Sequence, residues 1–296
     1  MRVPGSDPPS KERLRRRGSA SILERRALFM SSYQFILTER EDGIVTITLN
    51  RPEKFNALNV AMVSELERAI GECAVDPETR VVIITGSGRG FCPGGDIEEF
   101  NRDPAKAPHV CYEITKHLNR IIIELRRMPQ PVIASINGGI GGAGISIAAA
   151  CDIRIAASDV RFRQGYTGVG LAPDGAWTLT IPLLIGWGRA CELIFLNPYF
   201  GADKALEWGL VDRVVYPEEL PQATMELARQ LARGPAQAFA IVKRNLNRAL
   251  LIGLESLLEE DRRGLVAAAQ TDDAKEGFRA FLEKRKPAFK DKPRFW

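Results

Sequence analysis

Residues 131–174 read PVIASINGGIGGAGISIAAACDIRIAASDVRFRQGYTGVGLAPD, and this stretch decides the fold. Val132–Ile136 is a short β-branched apolar run and predicts a buried strand. Asn137 then opens a cluster of five glycines: Gly138, Gly139, Gly141, Gly142 and Gly144. Residues 145–150 are small and apolar and predict a buried helix; residues 151–156 predict a second strand. A glycine turn entering a helix presents unpaired backbone N–H groups at the positive end of the helix dipole. Such a place can hold an oxygen carrying negative charge. Close packing of helix on strand is the other reason for glycine here, and the cluster alone fits both.

Working outward, residues 34–38 and 44–49 flank Glu41-Asp42-Gly43 and predict a β-hairpin. Residues 61–74 place Met62, Leu66, Ala69, Ile70 and Cys73 at helical spacing, with Asn59 as the cap. Residues 81–85 predict a continuous apolar strand. A second glycine turn follows at Phe91-Cys92-Pro93-Gly94-Gly95-Asp96, where Asp96 can cap a helical turn over residues 97–100. Residues 101–108 are polar and predict a loop, and residues 110–127 a long helix ended by Met128-Pro129. Beyond Asp174, helices are predicted at 177–185 and 189–196, separated by Gly186-Trp187-Gly188. A short helix at 202–208, closed by Gly209, precedes a strand at 211–215. From residue 217 only helices are predicted, at 218–233, 235–250, 254–270 and 272–284. Alternating strands and helices followed by helices alone indicate an α/β body, residues 31–216, with a C-terminal helical region, residues 217–296.

Composition narrows the class. Among 296 residues, 45% are hydrophobic and 26% charged, which suits a globular protein with a substantial core. The net charge of +4 is carried by residues 1–30, which hold eight Lys/Arg against three acids, so the rest is near neutral. A general nucleic-acid surface is therefore not expected. The basic stretch reads as a disordered tail, as an over-extended start with Met30 as the first residue, or as a targeting or RNA-binding arm. The acids Asp7, Glu12 and Glu24 count against a transit peptide. Five scattered cysteines without a CxxC pair predict reduced thiols in a cytoplasmic protein and no metal site. No apolar run is long enough for a membrane span.

Four ordered blocks carry a resemblance. NRPEKFNAL at 50–58, VVIITGSGRGFCPGGDI at 81–97, the central stretch, and ADKALEWGLVDRVV at 202–215 resemble the crotonase (enoyl-CoA hydratase/isomerase) superfamily. The tail EGFRAFLEKRKPAF at 276–289 resembles its C-terminus. The resemblance covers about residues 33–290. It implies a spiral of ββα units, a C-terminal helical trimerisation region, a homotrimer or dimer of trimers, and an acyl-CoA thioester substrate. CoA would then be part of the substrate, and no separate cofactor is expected. The resemblance assigns the backbone N–H groups of Gly95 and Ala143 as oxyanion donors. It places Cys92, Pro93, Gly94, Asp96 and Gly142 against the substrate, the carbonyls near Cys92 and Pro93 against the adenine. Lys54 and Arg51 are candidates for the phosphates.

The acid–base positions depart from the hydratase pattern. Hydratases of the family carry two glutamates, and counting places those positions at Ser146 and Tyr166. Neither is a carboxylate, so water addition by two carboxylates is put in doubt. Asp174 remains, at a place where isomerases and aroyl-CoA dehalogenases of the family carry an aspartate. It could also cap the helix that begins near residue 176. Tyr166 is expected chiefly to wall the acyl pocket, with Ser146 beside it. The leading reading is double-bond isomerisation with Asp174 as acid and base. A hydratase remains open, as does a hydrolase or dehalogenase with Asp174 as nucleophile. The last would want a base from His109 or His117, the two histidines. A non-catalytic CoA- or RNA-binding member is the remaining reading.

Overall fold

The structure, a computed structural model, describes residues 33–292. The basic extension at residues 1–30 lies outside the described residues. The described chain opens on a hairpin, β1 (Ile36–Glu41) and β2 (Ile44–Leu49), paired antiparallel. Its turn is Asp42-Gly43, with φ of 47° and 79°, one residue shorter than the sequence suggested. Two left-handed residues match the strand twist of a tight hairpin. The helix α1 (Val60–Val75) begins at Asn59, whose Oδ1 accepts from the Met62 N–H at 2.8 Å. All five residues of its expected apolar face are buried.

From here the chain winds in repeated units of two strands and a helix. The strand β3 (Val81–Gly86) is followed by β4 (Gly90–Cys92), then α2 (Ile97–Arg102) and α3 (Ala107–Arg127). The next unit is β5 (Val132–Ile136), β6 (Gly139–Gly141) and α4 (Ala143–Ala150). Then come β7 (Ile153–Ala157) and β8 (Arg161–Arg163), α5 (Trp177–Ile185) and α6 (Trp187–Leu196). The strand β9 (Phe200–Gly201), α7 (Ala202–Trp208) and β10 (Arg213–Val215) complete the body. One sheet runs β1-β2-β3-β5-β7-β10 and the other β4-β6-β8-β9. Among the described strand pairs only β1–β2 and β8–β9 are antiparallel. Each unit thus gives its first strand to one sheet and its second to the other, as a ββα spiral requires.

The sequence read β4 and β6 as loops. They are three-residue strands of which Gly90, Gly139 and Gly141 are half, so no side-chain alternation marks them. Glycine is required because the backbones approach closely. A Cβ on Gly144 would lie 2.2 Å from the Cys92 carbonyl oxygen, and one on Gly138 2.1 Å from that of Arg89. At these two positions the packing reason for the glycine cluster holds.

Four helices follow: α8 (Leu220–Ala232), α9 (Ala236–Leu250), α10 (Leu254–Ala268) and α11 (Asp272–Leu282). Two of them turn their apolar faces inward. Leu254, Leu258 and Leu265 of α10 and Phe278 of α11 are buried within the chain. In contrast α9 buries only Lys243, whose Nζ donates to Asp152 Oδ2 at 2.7 Å and to the Gln130 carbonyl at 3.0 Å. Its Ile241, Val242, Leu246 and Leu250 are exposed. The exposed apolar surface of these four helices is therefore concentrated on α9, since α10 and α11 turn most of theirs inward and leave Phe281 exposed. No described helix is long and apolar enough to cross a membrane.

Candidate active site

The first glycine turn is held from behind by Leu58. The Leu58 N–H donates to the Gly94 carbonyl at 2.8 Å, and the Asp96 N–H donates to the Leu58 carbonyl at 2.9 Å. In such a parallel bridge the residue between the two bonds directs its own N–H to the opposite side. The Gly95 N–H thus faces away from Leu58 and meets no acceptor among the described residues. Gly94 reaches this geometry with a φ of 104°, which L side chains rarely adopt. Phe100 of α2 packs on Gly95 and against Phe278, the two rings tilted at 46° with centroids 5.6 Å apart.

The second turn lies against the first. A Cβ on Gly94 would sit 3.2 Å from Gly142 Cα and 3.4 Å from Ala143 N. Gly142 precedes α4 at φ 47° and ψ −130°, open to glycine alone. Its N–H donates to the Gln164 carbonyl at 3.0 Å, while Ile145 and Ser146 return their N–H groups to the Gly142 carbonyl. Ala143 N–H, the first donor of α4, meets no acceptor among the described residues. Two free donors, one from each turn, are thus presented from touching backbones.

One helical turn further along α4 stands Ser146, about 4.5 Å along the axis from Ala143. Its Oγ donates to the backbone carbonyl of Asp174 at 2.9 Å. The Tyr166 hydroxyl lies 3.5 Å from Ser146 Oγ and donates to Asp174 Oδ1 at 2.5 Å. Tyr166 is therefore a direct partner of the aspartate, more than the pocket wall expected for it. Asp174 is 3% exposed. Burial pushes its carboxyl up to about 7; the Tyr166 hydroxyl opposes this and the negative Asp261 adds to it. Burial and the charge of Asp174 push the Tyr166 phenol well above its ordinary value, so Tyr166 stays a donor. The capping alternative for Asp174 fails: α5 has no side-chain cap. The chain instead reverses through two left-handed residues, Gly175 at φ 64° and Ala176 at φ 59°. The alanine costs about 1 kcal/mol there.

Other expected residues have different employment. Asp96 caps α2, accepting from the N–H groups of Glu98 and Glu99, and pairs with Arg51 at 3.0 Å. Its carboxylate is thus taken up inside the protein, and Arg51 is not a free phosphate partner. Lys54 pairs with Glu98 at 2.5 Å on a more open surface. The Cys92 carbonyl lies against Gly144 and that of Pro93 against Gly141, so both face the second turn. The Cys92 thiol is fully buried, and burial pushes it up to about 12. His117 Nδ1 sits 2.5 Å from Glu67 Oε2, in an outer groove between α1 and α3. Its neighbour Leu118 is the residue that faces Gly175. His109 is exposed. Neither histidine is placed beside Asp174. Sequence reasoning missed Asn56, Leu58 and Gln164. Asn56, fully buried, donates to the Gly90 carbonyl at 2.7 Å and so fixes β4. The signal was present for Asn56, inside the block NRPEKFNAL, but Leu58 and Gln164 act through backbone atoms that no side chain advertises. Among the described residues no group of three or more His, Cys, Asp or Glu could hold a metal ion.

The enoyl-CoA hydratase/isomerase family model covers residues 39–292, and the chain belongs to that family. The 1,2-epoxyphenylacetyl-CoA isomerase of Escherichia coli K12 is 36% identical over 260 residues, 88% of this chain and 99% of that protein. The short-chain-enoyl-CoA hydratase of Clostridium acetobutylicum is 35% identical over 252 residues, 85% and 95% of the two chains. The crystal structure of an enoyl-CoA hydratase from Mycobacterium avium subsp. paratuberculosis K-10 superposes with a TM-score of 0.80 at 33% identity. It covers 87% of this chain and 99% of that one.

Proposed function

We propose that the protein isomerises a double bond in an acyl-CoA thioester, with Asp174 moving the proton. The observation that carries this reading is the buried carboxyl of Asp174, bonded to Tyr166 and held against Ser146 of α4, the helix whose first N–H meets no acceptor among the described residues. Chemistry beside a thioester carbonyl builds negative charge on its oxygen, and two preorganised N–H donors stabilise that charge. Gly95 and Ala143 supply them. Asp174 takes a proton from the α- or γ-carbon, the donors hold the dienolate, and Asp174 returns the proton at the other end. One carboxyl suffices for this transfer, whereas water addition calls for a second acid–base group at positions held here by Ser146 and Tyr166. A hydrolytic reaction through an acylated Asp174 would need a base, and His117 is engaged with Glu67 instead. The relatives named above, an isomerase and a hydratase that act on CoA thioesters, support the substrate class.

Screening a panel of acyl-CoA thioesters by ultraviolet change and product mass tests the reading. At least one enoyl-CoA is expected to convert without change in mass, and calorimetry is expected to find the thioester bound far more tightly than its free acid. Equal affinities, or no binding of any CoA thioester, would end it.

The exposed apolar face of α9 supports a homo-oligomer, a trimer or a dimer of trimers. Trp187, Phe195 and Leu196 of α6 are exposed as well, each above 70%, and surfaces of this kind mark protein contacts. Sedimentation at micromolar concentration is expected to give a mass of three or six chains. A stable monomer would contradict the assignment.

A further inference from the structure

Another buried carboxyl stands behind Asp174. Asp261, on α10, is 8% exposed. Its Oδ1 accepts from the Thr178 hydroxyl at 2.8 Å, and Oδ2 meets no donor among the described residues. Thr178 lies in the first turn of α5, four residues beyond Asp174. Gly264, one helical turn along α10 from Asp261, brings its backbone to Ala172: a Cβ there would lie 3.9 Å from Ala172 Cβ. The face of α10 that carries Asp261 is thus seated on both ends of the segment holding Asp174.

We infer that Asp261 is a positioning residue for Asp174, pinning the 174–178 turn to α10 through Thr178 and placing a second carboxyl behind it. The inference deepens the proposed function and takes from it that Asp174 is the acid and base.

Electrostatics agree with the geometry. The titratable groups around Asp174 are Tyr166 from the loop after β8, Cys111 from α3 and Asp261 from α10. Tyr166 and Cys111 are both held protonated, the thiol pushed up to about 12 by burial first and then by Asp174. Asp261 is therefore the neighbour able to carry a second charge. Burial pushes it up to about 6, against the Thr178 hydroxyl and the nearby Ala176 N–H, which favour the charged form. Among the described residues no cation pairs with it. Arg262, next on the helix, is paired with Glu259 and stacked on Tyr112 of α3, 4.4 Å from the ring centroid. Two buried like charges resist ionising together, so the pair titrates in two steps and the second is raised. A carboxyl that must both take and return a proton works best with its pKa near the operating pH.

The test is an infrared carboxyl titration of the full chain labelled with ¹³C-aspartate, with the Asp174 band assigned by its loss in Asp174→Asn. In Asp261→Asn that band is expected to titrate about one pH unit lower than in the wild type, because a like charge has gone. Thr178→Val, which favours the protonated form of Asp261, is expected to move it in the same direction by less. Asp261→Glu is expected to restore the wild-type midpoint. The acid limb of kcat/KM on a substrate found by the thioester screen should follow the infrared midpoint in each variant. An Asp174 midpoint unmoved in both Asp261→Asn and Thr178→Val would overturn the inference, as would a shift in stability alone. Because the band is read without substrate, a shifted midpoint together with full activity in Asp174→Asn would sink the proposed function and leave the pairing standing.

Discussion

Asp174→Asn is expected to lower turnover on the true substrate by ~10²–10⁴-fold, the usual contribution of a general acid and base. Asparagine keeps the shape and can still accept from Tyr166, but it carries no proton to give. Thioester binding should change little, because the oxyanion donors are backbone groups of Gly95 and Ala143. Ser146→Ala and Tyr166→Phe should cost far less. Tyr166→Phe removes a hydrogen bond that favours the ionised aspartate, so it should move the pH profile upward. In the wild type kcat/KM should rise as Asp174 loses its proton, through a pH of about 7.

Stability should move in the opposite direction. An unfolded aspartate releases its proton near pH 4, whereas the folded Asp174 holds it to about 7. Between these values the unfolded chain binds fewer protons, so stability falls as pH rises. Asp174→Asn removes that loss and should melt above the wild type at pH 8, with the difference vanishing toward pH 4. Near wild-type turnover in this variant would show that Asp174 is not the proton carrier.

Ala143→Pro is the second large effect. Proline is accepted at the first position of a helix, where the N–H has no partner within the helix. Here the Ala143 N–H meets no acceptor among the described residues, and proline would remove it without breaking a bond among them. Its ring also fills the space before the missing hydrogen. We expect kcat/KM to fall by at least ~10²–10³, the cost of one lost oxyanion donor, while melting temperature stays close to that of the wild type. Equal loss of activity and of folding would instead assign Ala143 a structural role, and full activity would remove it from the site.

Much of the fold was legible because apolar side chains repeat. The buried faces of α1 and β3, the Asn59 cap and the Gly209 helix end all follow from residue type and spacing. The second sheet was not legible, since β4 and β6 pair through backbone atoms and their glycines carry no pattern. The site divided in the same way. The free N–H groups lie in turns that the glycines announced, but the pairing of Tyr166 with Asp174 joins positions eight residues apart through a loop of no regular period. Asp261 is farther still from Asp174 in sequence; its spacing from Leu254, Leu258 and Leu265 puts it on the inward face of α10, but periodicity does not say which segment that face meets. The inward packing of α10 and α11 was likewise hidden, because an amphipathic helix does not say whether its apolar face meets its own core or another copy.

The central claim is a proton shift without water addition, and isotopes test it directly. Wild-type protein is incubated with the enoyl-CoA substrate in D₂O and, separately, in H₂¹⁸O, and the products are read by mass spectrometry. The account predicts deuterium at the α- or γ-carbon, no ¹⁸O in any product, and loss of the exchange in Asp174→Asn. Solvent ¹⁸O in a hydroxyacyl-CoA, or in a released acid or phenol, would contradict it.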